Sequence, residues 1–303
     1  MQRTEAPEIS IIMTHRGNPD VLREFYRQVF DTAVRPENIE IISCIDDDDT
    51  GCHGIEFQGL SIKQLLFPYG TKGSTYIHTA YRASQGRLIM LMATDMIIHT
   101  PGWDVAILDE FAKWPDGIGL VYPNDLIFKG ALAQGGMTVS RKACELLGYL
   151  TYPIYRWFRS EDHIHHIYDI LRQLGHDRIV YLPDVIIEHL SYVERDGQRL
   201  YDKAPIFVGD VQSDDGGRYQ DLHTSRILDA LKLAMFIDPL KFNEYIEAAK
   251  NVQGPFFHYL NVQELKKAGN GDAVCIDVNG KLFPIESYKG YNISPCLDDI
   301  RKQ

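Results

Sequence analysis

Polar side chains follow three apolar runs of the sequence, at the point where each run ends. The runs cover 8–13, 39–45 and 88–92. The polar residues behind them are Thr14, His15 and Arg16 after the first run, Asp46, Asp47, Asp48 and Asp49 after the second, and Thr94 and Asp95 after the third. Carboxylates suit a divalent cation, and an arginine suits a phosphate group. If the runs are parallel strands, these groups meet at one edge of a sheet, where open α/β sheets bind ligands.

The spacing of apolar residues indicates that these runs are strands and that a helix separates the first two. In Asn18-Pro19-Asp20, Asn18 can cap a helix and Pro19 fits its first turn. Apolar residues then recur at helical spacing as far as Phe30. Strands that are apolar throughout are typical of a parallel sheet covered on both faces. We therefore predict an α/β fold with a mostly parallel sheet and helices on both faces.

The alternation of strands and helices continues as far as His189. Further strands are predicted at 61–67, 119–122, 137–140, 179–182 and 185–187, and further helices at 74–84, 103–111, 141–147, 161–174, 221–236 and 239–250. The segment Ser213 to Gly217, with sequence SDDGG, predicts a turn or linker. Because the periodicity weakens after Tyr192, we predict two parts: residues 1–192, and a mainly helical appendage of unknown role at 193–303.

The composition is that of a globular protein with an acidic surface. Hydrophobic residues make up 45% of the chain and charged residues 24%, and the net charge is −11, which disfavours a general nucleic-acid-coating role. The five cysteines are scattered, odd in number and never in CxxC spacing, so a disulfide framework or a structural zinc site is disfavoured. The first ten residues lack the apolar core of a signal peptide, and no apolar run is long enough to span a bilayer. We therefore expect a cytoplasmic protein without integral membrane contact.

Two common nucleotide-binding motifs are missing from the sequence. No GxGxxG follows the first strand, and no GxxxxGK[ST] occurs anywhere, so a dinucleotide site of the Rossmann type and a P-loop are both disfavoured. A nucleotidyltransferase would need a glycine-rich loop after the first strand. The segment 14–18 contains one glycine, which makes this class a weak alternative.

Taken in order, these features resemble the glycosyltransferases of family 2 with the GT-A fold. In that family a first strand ends in a loop with threonine and arginine, and a second strand ends in aspartates. A helix ending in Ala-x-Gly, a strand, an Asp-x-Asp motif and a Pro-Gly-Trp segment follow. The matching segments here are Thr14 with Arg16, Asp46 to Asp49, Ser84-Gln85-Gly86, Ala93-Thr94-Asp95 and Thr100-Pro101-Gly102-Trp103, within residues 8–190.

The resemblance implies a metal site built around Asp95. The first aspartate of the Asp-x-Asp motif is replaced by Ala93, and the last, the usual metal ligand of the family, is kept as Asp95. Some enzymes of this fold complete the metal shell with a late histidine, and His189 fits that position. Mn²⁺ or Mg²⁺ can be held by one or two protein carboxylates together with substrate oxygens. The alternatives are that Asp95 is a turn residue and that His189 is a core histidine.

The resemblance also implies a donor site for a nucleotide sugar, with a UDP-sugar expected. Asp46 or Asp48 is expected to bind the nucleoside, and Arg16 and Lys72 the diphosphate. Three further residues complete the expected donor site: Thr14, His78, which stands where the family often has asparagine, and Thr94. The alternatives are a solvated turn for the aspartates and an ordinary surface residue for Lys72.

Glu161 and Asp162 follow Ser160 at the start of a predicted helix. Acidic residues in a first turn offset the helix dipole, which is a sufficient reason for both. In the family that this sequence resembles, an aspartate in a comparable Glu-Asp pair is the general base, so we expect Asp162 rather than Glu161 to activate the acceptor hydroxyl, with inversion at the anomeric carbon. The nearby His163 and His166 are expected on a histidine-rich helix surface.

The sequence leaves the acceptor open among a glycan, a small molecule and a hydroxymethylated base in DNA of the kind that viral enzymes glycosylate. A second class of function is also open. Because Ala93 stands in the Asp-x-Asp motif, the chain could be a sugar-nucleotide or glycan-binding protein without catalysis.

Overall fold

A computed structural model describes residues 6–128, 130–190 and 208–252, with side chains from residue 214 onward in the last range. It also gives the backbone of four short strands, β9 (Glu194–Arg195), β10 (Gln198–Arg199), β11 (Ala273–Ile276) and β12 (Leu282–Pro284). The main sheet has eight strands: β1 (Ile9–His15), β2 (Ile39–Asp46), β3 (Ser61–Phe67), β4 (Leu88–Ala93), β5 (Met96–Ile98), β6 (Leu120–Asn124), β7 (Thr138–Ser140) and β8 (Ile179–His189).

The main sheet is mixed, with a parallel half that carries the polar clusters. Its strand order is β3-β2-β1-β4-β7-β6-β8-β5. Strands β3, β2, β1 and β4 run parallel, β7 is antiparallel to both β4 and β6, and β5 is antiparallel to β8. The predicted α/β class with a mostly parallel sheet is confirmed. The polar ends of β1, β2 and β4 lie at one edge, as their parallel pairing requires.

Eight helices belong to the described part of the chain: α1 (Pro19–Thr32), α2 (Gly73–Ala83), α3 (Trp103–Ala112), α4 (Arg141–Leu147), α5 (Ser160–Gln173), α6 (Val208–Asp221), α7 (His223–Ile237) and α8 (Phe242–Ala249). The Asn18 side chain accepts from the backbone N–H of Asp20 and caps α1, with Pro19 in the first turn, as predicted. Helices cover both faces of the sheet, since its strands contribute to two separate hydrophobic clusters.

The turn between α2 and β4 explains why Gly86 is a glycine. Its backbone N–H donates to Ser10 Oγ (2.7 Å) and to Glu40 Oε1 (3.0 Å), both buried in the sheet. A Cβ at this position would lie 2.6 Å from the backbone nitrogen of Ser10. The close approach of two backbones therefore excludes a side chain at this position.

The observed elements differ from the predicted ones in three places. The segment predicted as a turn at 213–217 lies inside α6, the two strands predicted at 179–182 and 185–187 are the single strand β8, and β5 was not predicted at all. The glycines of α6 lower its helix propensity, but tertiary contacts outweigh propensity in a folded domain.

Helix α7 packs on α5 and α4, and the buried side chains of 219–252 join the same hydrophobic cluster as α5 and β6. The described part of the C-terminal region thus shares a core with the sheet. The boundary at residue 192 remains a prediction, and most of 253–303 lies outside the described residues. A search of the described residues finds no helix with the length and apolar character needed to cross a membrane.

Candidate active site

The first part of the site is an ion-pair network at the ends of β1 and β2. Arg16 Nη1 donates to Asp46 Oδ2 and to Asp48 Oδ1, both at 2.6 Å, and Nη2 donates to Asp48 Oδ2 at 2.9 Å. Asp46 is buried and also accepts a hydrogen bond from the hydroxyl of Tyr76. The bonds to Arg16 lower the pKa of Asp48. Three of the residues predicted for nucleotide binding are therefore in direct contact.

Arg16 is half-exposed, and its guanidinium lies 4.4 Å from the ring centroid of Tyr69, which is itself 54% exposed. A guanidinium over an exposed aromatic face can accept a further anion or a flat ring from solvent. Lys72 is exposed directly before α2. The ends of the strands thus present cationic groups beside the aspartates.

His78 and Thr94 have protein partners near the site. His78 Nε2 lies 2.6 Å from the carbonyl oxygen of Thr151 and links α2 to the segment before α5. Burial lowers the pKa of His78. Thr94 Oγ1 lies 2.8 Å from Nδ1 of His15, while Thr14 is part of the β1 ladder beside Ala93. Thr94 and His15 thus connect the ends of β4 and β1, while His78 holds α2 against the segment before α5.

The second part of the site is a cluster of acidic side chains around His189. Asp95 Oδ2 lies 3.4 Å from Nε2 of His189, and β5 pairs with β8 so that Met96 is opposite His189. Burial alone lowers the pKa of His189, but its bond to Asp95 and the charges of Asp95, Asp125 and Glu161 outweigh burial and raise that pKa. The histidine therefore faces three carboxylates.

Two carboxylate oxygens in this cluster are buried without a hydrogen-bond partner, namely Asp95 Oδ1 and Asp125 Oδ2. Burying a carboxylate oxygen without a hydrogen bond costs free energy unless a cation or a hydrogen-bond donor binds it. Carboxylate oxygens with an imidazole nitrogen form a donor set that suits Mn²⁺ and related divalent ions. The residues present therefore fit the metal that the family resemblance implies.

Asp125 was missed by the sequence analysis. Its Oδ1 accepts from the backbone N–H groups of Ile127 (3.0 Å) and Phe128 (2.8 Å), which leaves Oδ2 directed away from that turn. The backbone N–H of His189 donates to the Asp125 carbonyl at 3.2 Å. Asp125 directly follows β6, so the rule that polar residues at strand ends form the site could have found it.

Glu161 and Asp162 begin α5, and their side chains have different surroundings. Asp162 is buried, with Oδ2 accepting from Arg159 Nη1 at 2.8 Å and Oδ1 lacking a hydrogen-bond partner. Glu161 is partly exposed and acts electrostatically on His189. Burial raises the pKa of Glu161 to about 7.

The expected histidine-rich surface of α5 is wrong. His163, His165 and His166 are buried, and His166 Nδ1 accepts from Nε of the fully buried Arg226 at 2.9 Å. Burial lowers the pKa of His166 to about 3. His166 thus joins α5 to α7, while His163 contacts the Tyr155 hydroxyl and His165 accepts from the Ala133 N–H. The apolar periodicity alone does not show that α5 is covered on these sides too.

Asp215 is a second residue that the sequence analysis missed. Its carboxylate is fully buried and accepts from the backbone N–H groups of Arg156, Trp157 and Phe158 at 2.9 to 3.1 Å. The Gly73 N–H donates to the Arg156 carbonyl at 2.6 Å, so this loop also touches the start of α2. Helix α6 therefore fixes the segment that leads into Glu161 and Asp162.

No protein-family model matches the sequence, and no curated protein sequence matches it. Several solved structures are similar to this chain in fold. The mannosyltransferase PcManGT from Pyrobaculum calidifontis, in complex with GDP-Man and Mn²⁺, is 13% identical, with 88% of this chain and 82% of that chain covered and a TM-score of 0.45. S. aureus TarS 1-349 in complex with UDP-GlcNAc is 11% identical, with 80% of each chain covered and a TM-score of 0.49.

A further structure of S. aureus TarS is 8% identical, with 91% of this chain and 60% of that chain covered and a TM-score of 0.47. One of these proteins is a mannosyltransferase by name, and two of the structures hold a nucleotide sugar. Because the identities and TM-scores are low, we base the function proposed below on the residues of the site.

Proposed function

We propose that this protein is a metal-dependent glycosyltransferase that moves a sugar from a nucleotide-sugar donor to an acceptor hydroxyl. The observation that carries the proposal is the group formed by Asp95, Asp125 and His189. Two of its buried carboxylate oxygens lack partners and its imidazole lies 3.4 Å from Asp95. A divalent cation bound by Asp95 and His189 would neutralise the negative charge that develops on the leaving diphosphate.

The donor is expected to lie along the strand ends between the two parts of the site. Arg16 holds Asp46 and Asp48 in place, and these carboxylates offer acceptor oxygens to a ribose or a base. Arg16 and the exposed Lys72 supply the positive charge that a diphosphate requires. A UDP-sugar is our first choice of donor, with Thr14, Thr94 and His78 as further contacts.

Asp162 is our candidate for the general base. Arg159 holds one of its carboxylate oxygens and the other is without a partner, which leaves one oxygen to accept a proton from an acceptor hydroxyl. Direct attack of that hydroxyl on the anomeric carbon inverts its configuration. Glu161 acts electrostatically on His189 and is the alternative base.

The test measures nucleotide release from a panel of UDP- and GDP-sugars with Mn²⁺, with Mg²⁺ and with EDTA, first without an acceptor. Release of one nucleotide that depends on the metal is the expected result and names the donor. Binding of a nucleotide by calorimetry without turnover, even with a panel of acceptors, would favour the sugar-nucleotide-binding protein instead. The absence of any nucleotide binding would contradict the proposal.

The base is tested separately with Asp162→Asn and Glu161→Gln. If Asp162 is the base, its substitution lowers the rate of transfer by about 10²- to 10⁴-fold while nucleotide binding persists. Glu161→Gln would then retain most of the rate. The reverse outcome moves the base to Glu161 and leaves the proposed reaction unchanged.

A further inference from the structure

The loops after β1 and β2 bring together three metal-ligating side chains that belong to neither part of the candidate active site. They are His15 at the end of β1, and Asp49 and Cys52 around the 3-10 turn Thr50–Cys52. One donor atom from each lies within 4.8 Å of the other two. The cysteine pattern of the sequence did not indicate this group, because His15 and Cys52 are far apart in the chain.

Each of the three side chains is held in place by a neighbour. Asp49 Oδ2 accepts from the Gly17 N–H at 2.8 Å, and Cys52 Sγ lies 3.3 Å from the Gly17 carbonyl oxygen. The Nδ1 atom of His15 is bonded to Thr94 Oγ1 at 2.8 Å. These contacts orient the donors without any ion.

His15 supplies the observation that points to a ligand. It is 7% exposed, and its Nε2 atom is buried without a well-formed hydrogen bond. A histidine that ligates a metal commonly has one ring nitrogen fixed by a hydrogen bond and the other directed at the ion. In His15, Nδ1 has a hydrogen-bond partner, and Nε2 has none of good geometry, which leaves Nε2 available to an ion.

We propose that His15, Asp49 and Cys52 form a second metal site that binds Zn²⁺ or a similar thiophilic divalent ion. An imidazole nitrogen, a carboxylate oxygen and a thiolate sulfur form a donor set that favours Zn²⁺ over Mg²⁺ or Mn²⁺. Binding replaces the thiol proton of Cys52 by the metal and releases that proton to solvent. Three protein ligands leave the fourth tetrahedral position to water.

The spacing of the donors agrees with a tetrahedral site after a small movement. Zn–S bonds near 2.3 Å and Zn–N bonds near 2.0 Å place the donors about 3.5 Å apart at tetrahedral angles. The donor atoms lie within 4.8 Å of one another, so the site requires a contraction of at most about 1.3 Å, which side-chain rotation can supply.

The consequence of the site is a cross-link between the two loops that position Arg16 with Asp46 and Asp48. Gly17, which contacts both Asp49 and Cys52, directly follows Arg16 in the chain. A bound ion would fix the relative positions of these loops. The proposed zinc site would therefore stabilise the fold and keep Arg16 near the aspartates of β2, whichever reaction the protein performs.

The experiment measures metal content and Co²⁺ spectra of the full chain. After dialysis against buffered Zn²⁺, the wild-type protein is expected to hold at least one equivalent that EDTA removes with a fall in Tm. Co²⁺ loading should give the near-ultraviolet absorption band of a cobalt–thiolate bond. In Cys52→Ser the band should vanish and Zn²⁺ affinity should fall by at least about 10- to 100-fold.

Two controls keep the result specific. Cys144→Ser removes another buried thiol, from α4, and should leave the band and the zinc content unchanged. Asp95→Asn should also retain the zinc bound by Cys52. The two metal sites can therefore be tested separately, and loss of metal binding at Asp95 would not contradict the zinc site. If Cys52→Ser does not fold, Asp49→Asn serves in its place. Substoichiometric zinc in the wild type, or an unchanged cobalt band in the folded Cys52 or Asp49 variant, would overturn the proposal.

Discussion

The Asp95 carboxylate lies 3.4 Å from Nε2 of His189, although the two residues are almost a hundred positions apart in the sequence. The β-ladder fixes this distance, because β5 and β8 pair next to it and the Leu190 N–H donates to the Asp95 carbonyl at 2.8 Å. A short strand that was not predicted thus positions the proposed metal ligands.

Arg16→Ala tests the donor-side network. Removing the guanidinium leaves the negative charges of Asp46 and Asp48 without their cation beside the expected diphosphate, so the Kd of the nucleotide should rise roughly 10- to 100-fold. Calorimetry at low and physiological salt provides the measurement. Arg23→Ala is the control, because Arg23 is exposed on α1 and pairs with Asp20. Equal affinities for the two variants would exclude Arg16 from the donor site.

Asp215→Asn tests the loop that leads into α5. Oδ2 accepts from all three backbone N–H groups and Oδ1 from that of Arg156 as well. An amide removes the negative charge and places an NH2 group where one of these oxygens lies, so the free energy of unfolding should fall by about 1–3 kcal/mol. Denaturant unfolding gives this value. The neighbouring Asp214→Asn is a matched control, since Asp214 is 43% exposed and pairs with Arg218. If Asp215→Asn were as stable as Asp214→Asn, the buried hydrogen bonds would contribute little.

Gly86→Ala tests how closely the turn that precedes β4 packs against β1. A Cβ 2.6 Å from the Ser10 backbone nitrogen must push the turn away, at a cost of about 1–3 kcal/mol in unfolding free energy. Gly51→Ala is the comparison, because a Cβ there meets nothing within 4 Å. Thermal unfolding of both variants would show whether only the first is destabilised. Equal melting temperatures would contradict the packing described for Gly86.

The buried histidines between α5 and α7 should make stability depend on pH. Burial lowers the pKa of His166 and His223 from 6.5 to about 3, so both are neutral in the folded state and take up protons on unfolding. Their contribution is complete above pH 6.5 and is lost as the pH falls from 6.5 toward 3, by about 1.4 kcal/mol per pH unit for each histidine.

His223→Gln removes one of these two groups. The slope of the unfolding free energy against pH in this window should therefore fall by an amount that corresponds to nearly one proton taken up on unfolding. The exposed His99, changed to Gln, is the control. Urea unfolding at a series of pH values supplies the slopes. An unchanged slope in the His223 variant would show that this histidine is not held neutral by burial.

The sequence predicted the parallel half of the sheet and the polar edge because apolar runs and strand-end polar residues are local signals. Arg16, Asp46 and Asp48 come together for that reason. Asp215 could not be predicted, because its role depends on α6 reaching a distant loop and its glycine-rich surroundings indicate a turn. His163 and His166 were placed on a surface because the sequence does not show that Tyr155 packs on the first and that Arg226 of α7 covers the second.

The most direct test of the proposed function is the metal dependence of nucleotide release in the wild type, in Asp95→Asn and in Asp109→Asn. Asp109 is an exposed aspartate of α3 away from the strand ends. We expect the wild type and the Asp109 variant to release nucleotide from one sugar donor with Mn²⁺ and to stop with EDTA. Asp95→Asn should lose this activity by about 100-fold or more. Full metal-dependent turnover in Asp95→Asn would contradict the assignment of Asp95 as the metal ligand and with it the proposed site.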